Sequence, residues 1–139
     1  INAAFGLLQL RHMGTVMDRR AEIDARYRQA LAGVPGIHCI GPGSQAVSNN
    51  SYFPILVEPG YPLSRDALYQ KLKDGAIHGR RYFYPLISDF PMYRALPSAQ
   101  RSNLPVAAAA AERVLCLPIY PALQAEDQQR VIDIVRLRG

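Results

Sequence analysis

Residues 77–94, IHGRRYFYPLISDFPMYR, concentrate charge and aromatic surface in one stretch. Arg80 and Arg81 run directly into Tyr82, Phe83 and Tyr84, and Tyr93 follows. A guanidinium holds phosphate through parallel N–H bonds, and a phenol can stack on a ring or hydrogen-bond it. Read as a strand, the segment puts Arg80, Tyr82 and Tyr84 on one face and Arg81, Phe83 and Pro85 on the other. The face that carries Arg80 with the phenols of Tyr82 and Tyr84 is therefore a candidate binding surface for a phosphorylated ligand. The competing reading is a solvated edge strand, with arginines for solubility and aromatics over the core.

Few other residues offer chemistry. Of the 16 basic residues only Lys71 and Lys73 are lysines, so covalent amine chemistry within the chain must use one of these. Both fall on a charged helical pattern. His12, His38 and His78 stand on separate elements without metal-ligand spacing, so no metal site is expected. Ser44, Ser48 and Ser51 lack a nucleophile elbow. Asp18, Glu22, Asp66, Asp74, Glu126 and Asp127 fall on helix faces or ends, where they serve solvation and dipole matching. No phosphate-binding glycine loop appears. No complete catalytic set is present, and no residue is assigned a catalytic role.

The formal charge of +5 suits an anionic ligand but does not by itself imply nucleic acid. RRYFY supplies only a fragment of an RNA-binding face, without its glycine signature or a matching second strand, so no nucleic-acid partner is expected. Cys39 and Cys116 are far apart and read as buried or incidental thiols in a reducing compartment, the alternative being a structural disulfide. No apolar run approaches a membrane span and nothing at the start resembles a signal peptide; the expectation is a soluble, cytoplasmic protein with no membrane partner.

The elements that must position Arg80 and Tyr82 alternate between helix and strand. Residues 1–31 predict one long helix, with Leu7, Leu8, Met13, Val16, Met17, Ile23, Tyr27 and Leu31 inward and a stop at Gly33, Pro35 and Gly36. IHCI and SYFPILVE predict strands, the second near an edge or bulge because of Pro54. Ser64 caps a helix over RDALYQKLKDG that Gly75 terminates, with Leu63 available to staple against Leu68. AIHGRRYFYPL then predicts a strand, LPVAAAAAER a short helix, VLCLPIY a strand and AEDQQRVIDIVRLRG a closing amphipathic helix. The predicted fold is α+β: a small three- to four-stranded, mostly antiparallel sheet, helices mainly on one face, and a projecting first helix. Residues 1–36 form the helix and connection, and 37–139 the small domain. The chain opens inside a helical pattern without a polar lead-in, which predicts a piece of a longer protein.

The order of these segments resembles the carboxyl-terminal part of the DegT/StrS family of sugar aminotransferases. INAAFGLLQLRHM is similar to the family's N-x-A-x-G-L-x-Q-L segment, RRAEIDARYRQAL to its arginine-rich continuation and YFPILV to its first clear small-domain strand. LYQKLKDGAIHGRRYFYPL resembles its helix-to-strand unit, and AAERVLCLPIYPAL with EDQQRVIDIV its closing strand and helix. The resemblance implies the small domain of a fold-type I, pyridoxal phosphate-dependent enzyme that transfers an amino group, from a donor such as glutamate, to a nucleotide-linked keto sugar. It implies a homodimer in the full-length form, with the catalytic lysine upstream of Ile1. This chain alone is then expected to be inactive and to hold no cofactor. Arg80 and Tyr82 match the family's G-I-x-x-R-x-Y-F pattern, with Ala76 in place of its glycine, which implies a substrate-binding role. Ile87 and Ser88 stand where many members carry histidine. RRYFYPLISDFPMYR looks closest to members making 4-amino-4,6-dideoxy sugars. The alternative is a non-catalytic module of the same fold that binds an anionic ligand.

Overall fold

The computed structural model describes residues 1–41 and 48–138. Three strands, β1 (Ile37–Cys39), β2 (Phe53–Val57) and β3 (Val114–Leu117), form an antiparallel sheet in the order β1-β2-β3. Ile37 pairs with Val57, and Phe53 with Leu117 and Ile55 with Leu115, so the apolar residues of β2 and β3 share a face. Period-two patterning is plain in β2, where Phe53, Ile55 and Val57 are buried and Pro54 and Leu56 half-buried.

Among the described residues five α-helices accompany the sheet: α1 (Asn2–Arg11), α2 (Met13–Leu31), α3 (Arg65–Asp74), α4 (Pro105–Arg113) and α5 (Ala125–Val135). The core joins Ile23, Tyr27 and Leu31 of α2, Leu68 and Leu72 of α3, and Val131, Ile132 and Val135 of α5 to Phe53, Ile55, Leu115 and Leu117. Each such side chain contributes roughly 1.5–3 kcal/mol when fully buried. The expected α+β architecture is thus present, with three strands among the described residues.

Local chemistry explains several boundaries. Ser64 Oγ accepts a hydrogen bond from the Ala67 amide at 3.1 Å and starts α3, which ends at Gly75. Gly36 sits at φ +73°, and a Cβ there would stand 2.1 Å from the Tyr61 amide nitrogen. Only glycine permits that crossing of backbones, which the Glu58 amide closes by donating to Gly36 O at 2.8 Å.

Three expectations are corrected. The predicted long helix is two, broken at His12, whose amide bonds to Gln9 O in a tight turn. Leu7, Leu8 and Met13 are 64%, 48% and 44% exposed, because the core reaches α2 only from Ile23 onward. Pro54 lies in the central strand, not at an edge. Its carbonyl accepts from the Ile40 amide at 3.1 Å, while the Ile40 carbonyl, which an ordinary residue 54 would serve, accepts from Arg28 Nη2 at 3.0 Å. The guanidinium replaces the missing N–H. Finally, AIHGRRYFYPL is not a strand. It contributes one bridge, Arg80 to Cys116, because Ala76 at φ +58° and Phe83 at φ +45° break the extended chain.

Candidate functional site

β3 positions Arg80. The Arg80 amide donates to Cys116 O at 2.9 Å, and the Cys116 amide donates back to Arg80 O at 2.8 Å. Its side chain is exposed and makes no hydrogen bond or ion pair among the described residues. Tyr82 is half-buried, with its ring 5.2 Å from that of Tyr52 in edge contact and 4.3 Å from that of Phe83. Tyr52, Arg80, Arg81, Tyr82, Phe83 and Tyr84 enclose a cleft of about 320 Å³. It offers an uncommitted guanidinium above aromatic walls, an arrangement suited to an anionic group attached to a ring.

Both sequence candidates, Arg80 and Tyr82, therefore lie in one cleft. Strand alternation does not describe their neighbours, however, because the chain turns at Phe83. Arg81, expected on the opposite face, borders the same cleft. Its guanidinium carbon stands 4.6 Å from the Tyr84 ring centre and 5.0 Å from that of Tyr69, and its Nη1 lies 3.4 Å from Asp66 Oδ1.

Sequence reasoning missed Tyr52 and Arg65. Tyr52 precedes β2 and meets Tyr82 only through tertiary packing. Arg65 is 5% exposed, and its Nη1 donates to Ala111 O at 3.0 Å and Val114 O at 3.2 Å. Its Nε lies 2.8 Å from Asp66 Oδ1 but outside hydrogen-bond geometry, so that contact is an ion pair only. Nothing in the pattern SRD distinguishes this arginine from an exposed first-turn residue.

The remaining reactive groups are distant in role. Burial pushes the Cys116 thiol up to about 11 and raises Cys39 as well, which disfavours the thiolate in both. Both cysteines are free. No group of three or more metal-ligating side chains occurs among the described residues. Lys71 and Lys73 are exposed in the last turn of α3 and line none of the five clefts described. A Schiff-base lysine needs desolvation or a cationic neighbour in a pocket. These two do not fit the covalent seat of a pyridoxal group. A second cleft of about 370 Å³ lies between Ile77, His78, Tyr120, Leu123 and Arg130. Arg130 is engaged there, by Asp127 Oδ1 at 3.2 Å and Gly75 O at 3.0 Å.

Comparison with known proteins agrees on one lineage. The chain is 52% identical over 137 residues to the dTDP-4-amino-4,6-dideoxy-D-glucose transaminase of Escherichia coli, covering 99% of this chain and 36% of that protein. It superposes on DesV of S. venezuelae, solved in complex with a ketimine intermediate, with a TM-score of 0.85 and 31% identity over 97% of this chain and 35% of that one. The PLP form of the sugar aminotransferase Spr1654 from Streptococcus pneumoniae gives a TM-score of 0.86 and 26% identity, over 98% of this chain and 34% of that one. The chain thus spans about a third of the length of these relatives. With residues 1–136 matching its description, the chain belongs to the DegT/DnrJ/EryC1/StrS aminotransferase family.

Proposed function

We propose that this chain is the carboxyl-terminal small domain of a pyridoxal phosphate-dependent aminotransferase, one that transfers an amino group from glutamate to a nucleotide-linked keto sugar. In this reading residues 1–36 are the interdomain helix and connection, and 37–139 the small domain proper. Arg80 meets the diphosphate of the sugar nucleotide, and Tyr82 and Tyr52 pack against its ring system. The observation that carries this is the Arg80 guanidinium. Its backbone is fixed on both sides by Cys116, its charge is unmatched among the described residues, and it opens onto an aromatic cleft. The similarity to a dTDP-sugar transaminase supports the ligand class.

Because neither lysine fits the covalent seat, this chain's share of the work is binding, orientation and exclusion of water from the sugar side. The chain alone is inactive. Exposed Phe83, Ile87, Met92 and Val106 support assembly with a second copy in a homodimer. No helix of the described residues is long and apolar enough to cross a membrane.

The test is amino transfer from glutamate to a dTDP-linked keto sugar. It is run on this chain alone and on the chain joined to a family large domain that carries a Schiff-base lysine. Product from the joined protein only is expected. Turnover by the chain alone overturns the assignment, and no turnover by a well-folded joined protein favours the non-catalytic binding module.

A further inference from the structure

Residues 81–85 belong to no helix or strand; Tyr82 and Phe83 form a turn, and no backbone hydrogen bond ties the segment to another element among the described residues. Beyond its own turn, the wall of the cleft after Arg80 is therefore tied to the rest of the fold through side chains. Tyr84 is central to that hold. The guanidinium carbons of Arg65 and Arg81 lie over the same Tyr84 ring, at 4.7 Å and 4.6 Å. Arg65 is anchored beneath by the carbonyl oxygens of Ala111 and Val114, at the end of α4 and the start of β3. Asp66 contacts both arginines, Arg65 at 2.8 Å and Arg81 at 3.4 Å. A continuous set of contacts so runs from the α4–β3 junction, through Arg65 and Tyr84, to Arg81.

Resting on the reading that Arg80 and Tyr82 bind a nucleoside diphosphate, we infer that Arg65 and Tyr84 are positioning residues for that wall. They hold Arg81 against α3, so that Arg80 alone of the adjacent pair meets the anion. The ring of Tyr84 does this, not its hydroxyl, which makes no hydrogen bond among the described residues. Arg65 is buried, and its replacement puts folding at risk. Tyr84 is 46% exposed and is the residue to vary.

The test titrates dTDP into this chain and three variants by calorimetry. Arg80→Ala is expected to weaken binding about tenfold or more. Tyr84→Leu is expected to weaken it about fivefold, and Tyr84→Phe, which keeps the ring, to stay within about twofold of wild type. Wild-type affinity in Tyr84→Leu, alongside weak binding by Arg80→Ala, overturns the positioning role and leaves the site intact. Equal binding by Arg80→Ala and wild type, or no binding by any protein, overturns the site instead. A readout without ligand decides the latch independently. The Nε–H resonances of Arg65 and Arg81 are expected upfield from the Tyr84 ring current and to lose that displacement in Tyr84→Leu. Unchanged resonances overturn the latch whatever dTDP does.

Discussion

Tyr27→Phe separates the two ways in which α2 is fastened to the sheet. Tyr27 is completely buried, its ring lies 4.8 Å from that of Phe53, and its hydroxyl donates to Pro118 O at 3.0 Å. Phenylalanine keeps the ring and removes only the donor. A hydrogen bond of this kind is worth about 0.5–1.5 kcal/mol net. Pro118 is half-buried, so water can partly serve its freed carbonyl, and the expected cost is about 1 kcal/mol. Tyr27→Ala also opens a cavity against Phe53 and is expected to cost about 3–5 kcal/mol. Urea unfolding followed by circular dichroism reads both, with the denaturant slope unchanged in Tyr27→Phe. Equal losses from the two substitutions, or no loss from Tyr27→Phe, would refute the placement of the hydroxyl on the segment that follows β3.

Two further perturbations probe backbone and ionisation. Gly36→Ala is expected to cost about 3 kcal/mol or more, since its φ of +73° and a Cβ 2.1 Å from the Tyr61 nitrogen act together. Gly33→Ala, at φ +74° with open space around it, is expected to cost only about 1–2 kcal/mol, and the same unfolding experiment distinguishes them. Burial raises Tyr61 to about 12 and Cys116 to about 11, and it raises Tyr27 too. The unfolded chain loses these protons from about pH 9 for the thiol and about pH 10 for the phenols, before the folded chain does. Stability is therefore full below those values and falls as pH rises through about 11 for Cys116 and about 12 for Tyr61. Urea midpoints measured across this range should decline, and Tyr61→Phe should shallow the decline; a flat profile contradicts the burial assigned to these groups.

Features set by adjacent residues were legible in the sequence. Ser64 and Gly75 mark the ends of α3 because a cap acts within one turn. The apolar runs of β2 and β3 declare themselves, as does the inward row Ile23, Tyr27 and Leu31. The same period wrongly extends inward to Leu7, Leu8 and Met13, since periodicity says which side is apolar and not where the partner surface stops. Pro54 reads as an edge signal because the compensating donor, Arg28, comes from a helix outside the strand pattern. Arg80 and Tyr82 were legible as residue types able to bind an anion. The choice of Arg80 over its neighbour came from alternation and the family pattern, whereas the contacts that occupy Arg81, with Asp66, Tyr69 and Tyr84, were not legible because they are tertiary. Arg65 was invisible for a related reason, as its partners Ala111 and Val114 lie 46 and 49 residues away.

The most direct measurement is an amide-resolved NMR titration of the isotopically labelled chain with dTDP. The account predicts that the largest shifts fall on Tyr52 and on Arg80 through Tyr84, and that Arg80→Ala removes them. Shifts centred on His78, Tyr120 and Arg130, or a spectrum that dTDP leaves unchanged, would contradict it.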